Sequence, residues 1–271
     1  MPLGRAAGAL AVPGHRTPLL SGASRWPDHF SGAAARYERY RPRYPEALFD
    51  LLADVAPRRS VVWDCATGNG QAALALARRF EQVRATDASE AQLGRAPRRP
   101  RISYVSATAE ATPFGARSFD LITVAQAAHW FDLEAFYREA RRVAAEGAVI
   151  ALWTYGLCEV SPAVDDAVGS FYRDVVGPYW PPQRRWVDQG YRNLPFPFDE
   201  LRMQPPEMSH VWSAEDLLGY ASTWSAVKRF RKATGEDPVE TALRPALARS
   251  WPAGESREVR WPLGLRAGRV R

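Results

Sequence analysis

"VVWDCATGNGQAALALA", residues 61–77, decides the fold. Val61, Val62 and Trp63 are β-branched or aromatic and favour a strand. The run ends in Asp64, and two glycines follow at Gly68 and Gly70. An alanine- and leucine-rich series of high helix propensity begins at once. Strand, glycine turn and helix in that order make half of a βαβ unit. The glycines let a ligand approach the backbone, and the helix start exposes N–H groups without helical partners. Residues 64–71 therefore read as a cradle for a polar ligand.

The same alternation runs outward from this stretch. Residues 45–55 have helical apolar spacing. The spacing predicts helices over 70–80, 89–96 and 132–144, with Ser89 as N-cap of the second. Strands are expected over 82–87, 101–107, 118–127 and 147–155. This is a doubly wound, mostly parallel α/β sheet with helices on both faces. After Tyr155 the composition changes. Residues 156–200 are rich in Pro, Trp, Tyr and Arg and read as a lid insertion over the carboxyl end of the sheet. A strand near 207–212, one helix from Ser213, another near 238–249 and a final strand over 257–270 follow.

Two ligand classes suit the cradle. Gly68-x-Gly70-x-x-Ala73, with Asp87 further on, matches a dinucleotide fingerprint. The alternative is S-adenosylmethionine (SAM), whose loop has the form acid-x-G-x-G-x-G. Here it reads Asp64-Cys65-Ala66-Thr67-Gly68-Asn69-Gly70, with Ala66 in place of the first glycine. Asp64 discriminates: a carboxylate repels a pyrophosphate but attracts the ammonium of a methionine moiety. Asp87 accepts hydrogen bonds from ribose hydroxyls in either case.

Downstream, "TAEATPFGARSFDLITVAQAAHWFD" (108–132) resembles the adenine-contacting and post-strand motifs of class I SAM-dependent methyltransferases. With "YERYRPRYP", "WDCATGNGQAA", "AQAAHWF" and "WSAVKRFR", residues 28–271 are similar as a single domain to the small-molecule branch that includes trans-aconitate methyltransferase. The resemblance implies a Rossmann-like seven-stranded sheet with an antiparallel last strand. It implies that Asp64, Ala66, Gly68 and Gly70 hold the methionine end of SAM and that Asp87 and Ala88 face ribose and adenine. Ala109 and Glu110 lie beside the adenine, where the family often has an acid at the position of Thr108. Gln126 sits near the sulfonium. His129 and Trp130 line the acceptor side, with His129 the histidine best located to act as a base. Tyr37, Tyr40 and Arg41 belong to a segment that folds over the cofactor. Within the lid, Trp180, Arg184 and Arg185 are the candidates for gripping an acceptor carboxylate.

Composition narrows the classes further. The formal charge is +6, but only two residues are lysine, Lys228 and Lys232, and the arginines are scattered. Without a basic stripe, a nucleic-acid partner is not expected. No apolar run reaches the ~18 residues of a membrane helix. Two cysteines, Cys65 and Cys158, build no disulfide framework, and no Cys/His spacing suits a metal. A reducing, cytoplasmic setting and a small-molecule acceptor are the expectation. Residues 1–27 carry no acid and read as a disordered extension or an upstream start. A non-catalytic SAM-binding protein and a nicotinamide oxidoreductase are the competing functions.

Overall fold

The computed structural model describes residues 40–271. The expected extension 1–27 and the candidate Tyr37 lie outside the described residues. The strands are β1 (Val61–Cys65), β2 (Gln82–Asp87), β3 (Ile102–Ser106), β4 (Phe119–Ala125), β5 (Ala144–Tyr155), β6 (Asp199–Glu200), β7 (Ser209–Ser213), β8 (Ser256–Arg260) and β9 (Leu263–Arg269). Seven of them form one sheet in the order β3-β2-β1-β4-β5-β9-β6. β1 to β5 pair in parallel, and β9 runs antiparallel to both β5 and β6. The expected architecture is the observed one.

The first half alternates strands with helices α1 (Glu46–Val55), α2 (Gln71–Leu76), α3 (Glu90–Leu93) and α4 (Leu133–Val143). Successive residues of a strand point to opposite faces. Val62 packs with Leu48, Phe49, Leu52 and Leu76 on one face, and Trp63 packs with Phe136 and Tyr137 on the other. Because both faces are covered, β1 opens on three apolar residues and carries its one acid, Asp64, near its carboxyl end. Ser89 caps α3 as expected, accepting from the Gln92 N–H. Arg79 ties α2 to α1, donating to Asp50 at 2.7 Å and Glu46 at 2.9 Å.

The chain order reverses between β1 and β4. The carboxyl ends of those strands therefore splay apart and open the crevice where such sheets bind ligands. A third hydrophobic cluster stands beside the carboxyl end of β5. It joins Tyr155 to Phe171, Trp224, Leu243, Trp251 and Trp261. Its elements include α5 (Pro162–Ser170) and a π-helical turn Phe171–Val175, whereas α6 (Arg184–Asp188) packs through Val187 in the cluster of Trp63. From further along the chain come β7, α7 (Ala214–Ser222), α8 (Ser225–Thr234), α9 (Arg244–Leu247) and β8.

Two expectations are corrected here. The single helix from Ser213 is two helices. Ser213 starts α7 with a capping box to Asp216, but Trp224 is extended, with ψ 141°. That turn buries the Trp224 ring against Phe171, Tyr172, Trp180 and Tyr220. Burying an indole outweighs the lost helical bonds. The single strand over 257–270 is also two. Pro262 has no N–H to donate to a ladder, so β8 pairs with β7 while β9 crosses to β5.

Candidate functional site

The loop after β1 supplies the floor of the crevice. Asp64 is fully buried. One of its oxygens accepts from the Thr67 hydroxyl at 2.5 Å and the other from the Thr123 hydroxyl at 3.0 Å. Burial lifts its pKa to about 6 against those two bonds, and the charge of Asp87 adds to the rise. Ala66, Gly68 and Gly70 all have left-handed backbone, with φ of 54°, 59° and 83°. Ala66 thus takes a conformation usually left to glycine, at a cost of roughly 1–2 kcal/mol. The Gly68 N–H donates to Asp87 at 2.8 Å, and the Ser89 N–H donates to the other Asp87 oxygen at 2.9 Å. The loop and the end of β2 are thereby locked together. Around Gly68 there is open space: a Cβ built there meets no atom within 4 Å.

The remaining cofactor candidates divide. Ala88 is exposed beside Asp87. Ala109 is buried. Glu110 uses its carboxylate to accept the Asp132 N–H at 3.2 Å, at the start of α4. Thr108 forms an isolated bridge with Ala111. Gln126, just past β4, has φ 56° and accepts from the Thr154 hydroxyl at 2.7 Å. Tyr40 and Arg41 reach the other side of the crevice. The Tyr40 ring lies where a Cβ on Gly219 would be, and Arg41 donates to the Tyr155 phenol at 3.1 Å.

His129 and Trp130 form a short 3-10 turn beyond β4, with ring centroids 4.8 Å apart. His129 Nδ1 lies 2.8 Å from the phenol oxygen of Tyr191. Burial drives the His129 pKa down to about 3, and the positive charge of Arg184 adds to the depression. So low a value suits a neutral imidazole rather than a base at neutral pH. It also sets Arg184 close enough to His129 to act on it electrostatically.

Arg184 and Arg185 part ways on α6, where neighbours diverge by about 100°. The Arg184 guanidinium lies over the Trp180 ring, at 4.6 Å, and the Tyr172 ring, at 5.3 Å, two rings that themselves pack with centroids 5.0 Å apart. Its Nε donates to the Tyr172 hydroxyl at 2.7 Å and to Asp188 at 3.1 Å. Arg185 is exposed and stacks over Trp186 instead. The structure brings Arg184 and Trp180 together, with the Arg184 charge acting on His129, and leaves Arg185 on the surface.

Sequence reasoning missed Tyr191, Tyr172, Thr154 and Tyr220. Tyr191 is fully buried with φ 61°. Gly190 before it was the one local signal of an unusual turn. Tyr220 read as an ordinary helical aromatic and Tyr172 as one of many aromatics of the 156–200 insertion, because only tertiary packing sets both rings against Trp224. Among the described residues, no group of three or more His, Cys, Asp or Glu could hold a metal ion, and no helix is long and apolar enough to cross a membrane.

Residues 63–152 match the family model described as a methyltransferase domain. That span holds the glycine loop, Asp87, Gln126 and His129. A Dictyostelium discoideum protein described as a methyltransferase is 31% identical over 82% of this chain and 87% of its own. A solved chain from Anaeromyxobacter dehalogenans, described as a type II methyltransferase, is 48% identical, with a TM-score of 0.80 over 85% of this chain and 98% of its own. A structure from Anabaena variabilis, 18% identical with a TM-score of 0.52 over 83% of this chain and 98% of its own, shares the fold alone. The glycine loop locked to Asp87, the sheet order and these likenesses agree: the chain belongs to the class I S-adenosylmethionine-dependent methyltransferases.

Proposed function

We propose that the chain methylates a small molecule through its carboxylate. The observation that carries this reading is Arg184. It is a cation held against the Trp180 and Tyr172 rings, and its charge is felt at buried His129. Among the described residues, its hydrogen bonds and its ion pair all run through Nε. The two terminal nitrogens are thus the edge that can meet a carboxylate in a bidentate pair. Arg41 adds a second cation, stacked 5.5 Å from the Tyr220 ring.

The cofactor end fits the same reading. The open space at Gly68 is a cradle that a side chain would fill, and Asp87 at its rim is an acceptor for hydroxyls. Asp64 beneath supplies a carboxylate for the ammonium of the methionine moiety. Bound SAM supplies an electrophilic methyl group on a sulfonium. The residues around it have to position the acceptor and exclude water. A carboxylate is already ionised near neutral pH and needs no base. That agrees with a His129 too weakly basic to serve as one.

The test is methyl transfer from radiolabelled SAM to a panel of carboxylic acids and their neutral amides. Arg184→Leu should raise KM for an acidic acceptor by about tenfold to a hundredfold, the worth of a charge-assisted bond. Arg185→Leu should leave it near the wild-type value. A neutral acceptor, or a wild-type KM in Arg184→Leu, would sink the carboxylate reading.

A further inference from the structure

We infer that Tyr191 is a positioning residue that fixes His129 as the tautomer protonated on Nε2, so that the imidazole meets the acceptor as a hydrogen-bond donor. A phenol has one proton and two lone pairs. Tyr191 is fully buried, and among the described residues the hydrogen-bond partner of its phenol oxygen is His129 Nδ1, 2.8 Å away. Away from water the phenol proton must go to an acceptor, and this nitrogen is the one within reach.

The Thr154 hydroxyl gives its own proton to Gln126 at 2.7 Å. The imidazole nitrogen, at 2.8 Å, takes the proton of Tyr191. With its Nδ1 lone pair engaged, neutral His129 carries its own proton on Nε2. Adding a second proton at Nδ1 would force the phenol to turn away inside a packed wall. The depressed basicity of His129 agrees with that cost. Among the described residues none hydrogen-bonds Nε2. An Nε2–H beside the Arg184 cation makes a two-point grip. The guanidinium and the imidazole donor can each bind a carboxylate oxygen, and neither competes for a proton.

What the Nε2–H meets rests on the carboxylate reading; the tautomer itself does not. The experiment is a long-range proton–nitrogen NMR spectrum of the full-length protein labelled at histidine nitrogen. The His129 signals are assigned by their loss in His129→Gln. Expected in the wild type from about pH 6 to 8 is a neutral ring, with unprotonated Nδ1 and protonated Nε2. Tyr191→Phe should give a mixture of tautomers and lower kcat about tenfold, the loss of one oriented hydrogen bond, with KM for SAM unchanged. An Nδ1–H tautomer or an imidazolium in the wild type overturns the inference, whether or not the variant folds. So does a tautomer unchanged in a folded Tyr191→Phe. A neutral acceptor found with the Nε2–H tautomer intact would overturn the carboxylate reading instead.

Discussion

Asp64 faces two opposed demands. The sheet buries it completely, and burial favours the protonated acid; an ammonium partner requires the ionised form. Its folded pKa of about 6 lies above the ordinary 3.8. Between those values the folded chain keeps a proton that the unfolded chain has released. Stability is therefore highest below that window and falls as the pH rises through it, by about 3 kcal/mol in all. A bound ammonium would repay part of this cost. Calorimetry with S-adenosylhomocysteine should show affinity falling about tenfold from pH 7.5 to pH 5, where the ligand must bind a protonated site. Asp64→Asn should bind weakly at every pH and lose the fall in melting temperature between pH 5 and pH 7.5. A pH-independent affinity in the wild type would remove Asp64 from the ammonium site.

At the scale of elements, the glycine loop separates two costs that a sequence motif merges. Gly68 and Gly70 both have left-handed backbone, but only Gly70 is crowded. A Cβ there would come within 2.6 Å of the Tyr104 hydroxyl, which donates to the Pro97 carbonyl at 3.2 Å. Gly68→Ala should cost roughly 1–2 kcal/mol from backbone strain alone and weaken cofactor binding by filling the cradle. Gly70→Ala should cost more, because Tyr104 must move. Adding Tyr104→Phe should recover part of that excess. Thermal unfolding of the four proteins checks the order. Equal midpoints for the two alanine variants, or a further loss on adding Tyr104→Phe, would show that Tyr104 is no obstacle. The loop and the five parallel strands were legible because period, turn chemistry and ligand logic coincide within a few residues of each other. The β6 strand is two residues long, too short to leave a pattern. The breaks at Trp224 and Pro262 depend on burial against residues far along the chain, which local periodicity does not record. Tyr191 was invisible for the same reason: its partner His129 is sixty-two positions away.

At the scale of the whole molecule, five consecutive residues join the sheet to the layer above it. Tyr40 packs where Gly219 of α7 leaves room, and Arg41 bonds Tyr155 at the end of β5. The Pro42 carbonyl accepts from Gln71 at 3.2 Å, at the start of α2, and the Arg43 N–H donates to His210 of β7 at 2.9 Å. Tyr44 sets its ring edge-on to Trp153, with centroids 5.6 Å apart. Each contact is modest, about 1 kcal/mol for a neutral hydrogen bond and about 1.5–3 kcal/mol for the charged Arg41. Together they bridge the glycine loop, the central strands and the aromatic cluster at the end of β5. The bridge should therefore couple cofactor binding to the seating of that layer. A chain lacking residues 1–27 retains every one of these contacts and should bind S-adenosylhomocysteine with wild-type affinity. A chain lacking residues 1–44 loses them all; its binding should be abolished and its melting temperature lowered by several degrees. Arg41→Ala tests the bridge without truncation and should weaken binding by about tenfold, as expected for loss of a charge-assisted bond. Equal affinities in the two truncated chains would mean that the cluster holds its place over the sheet without residues 40–44.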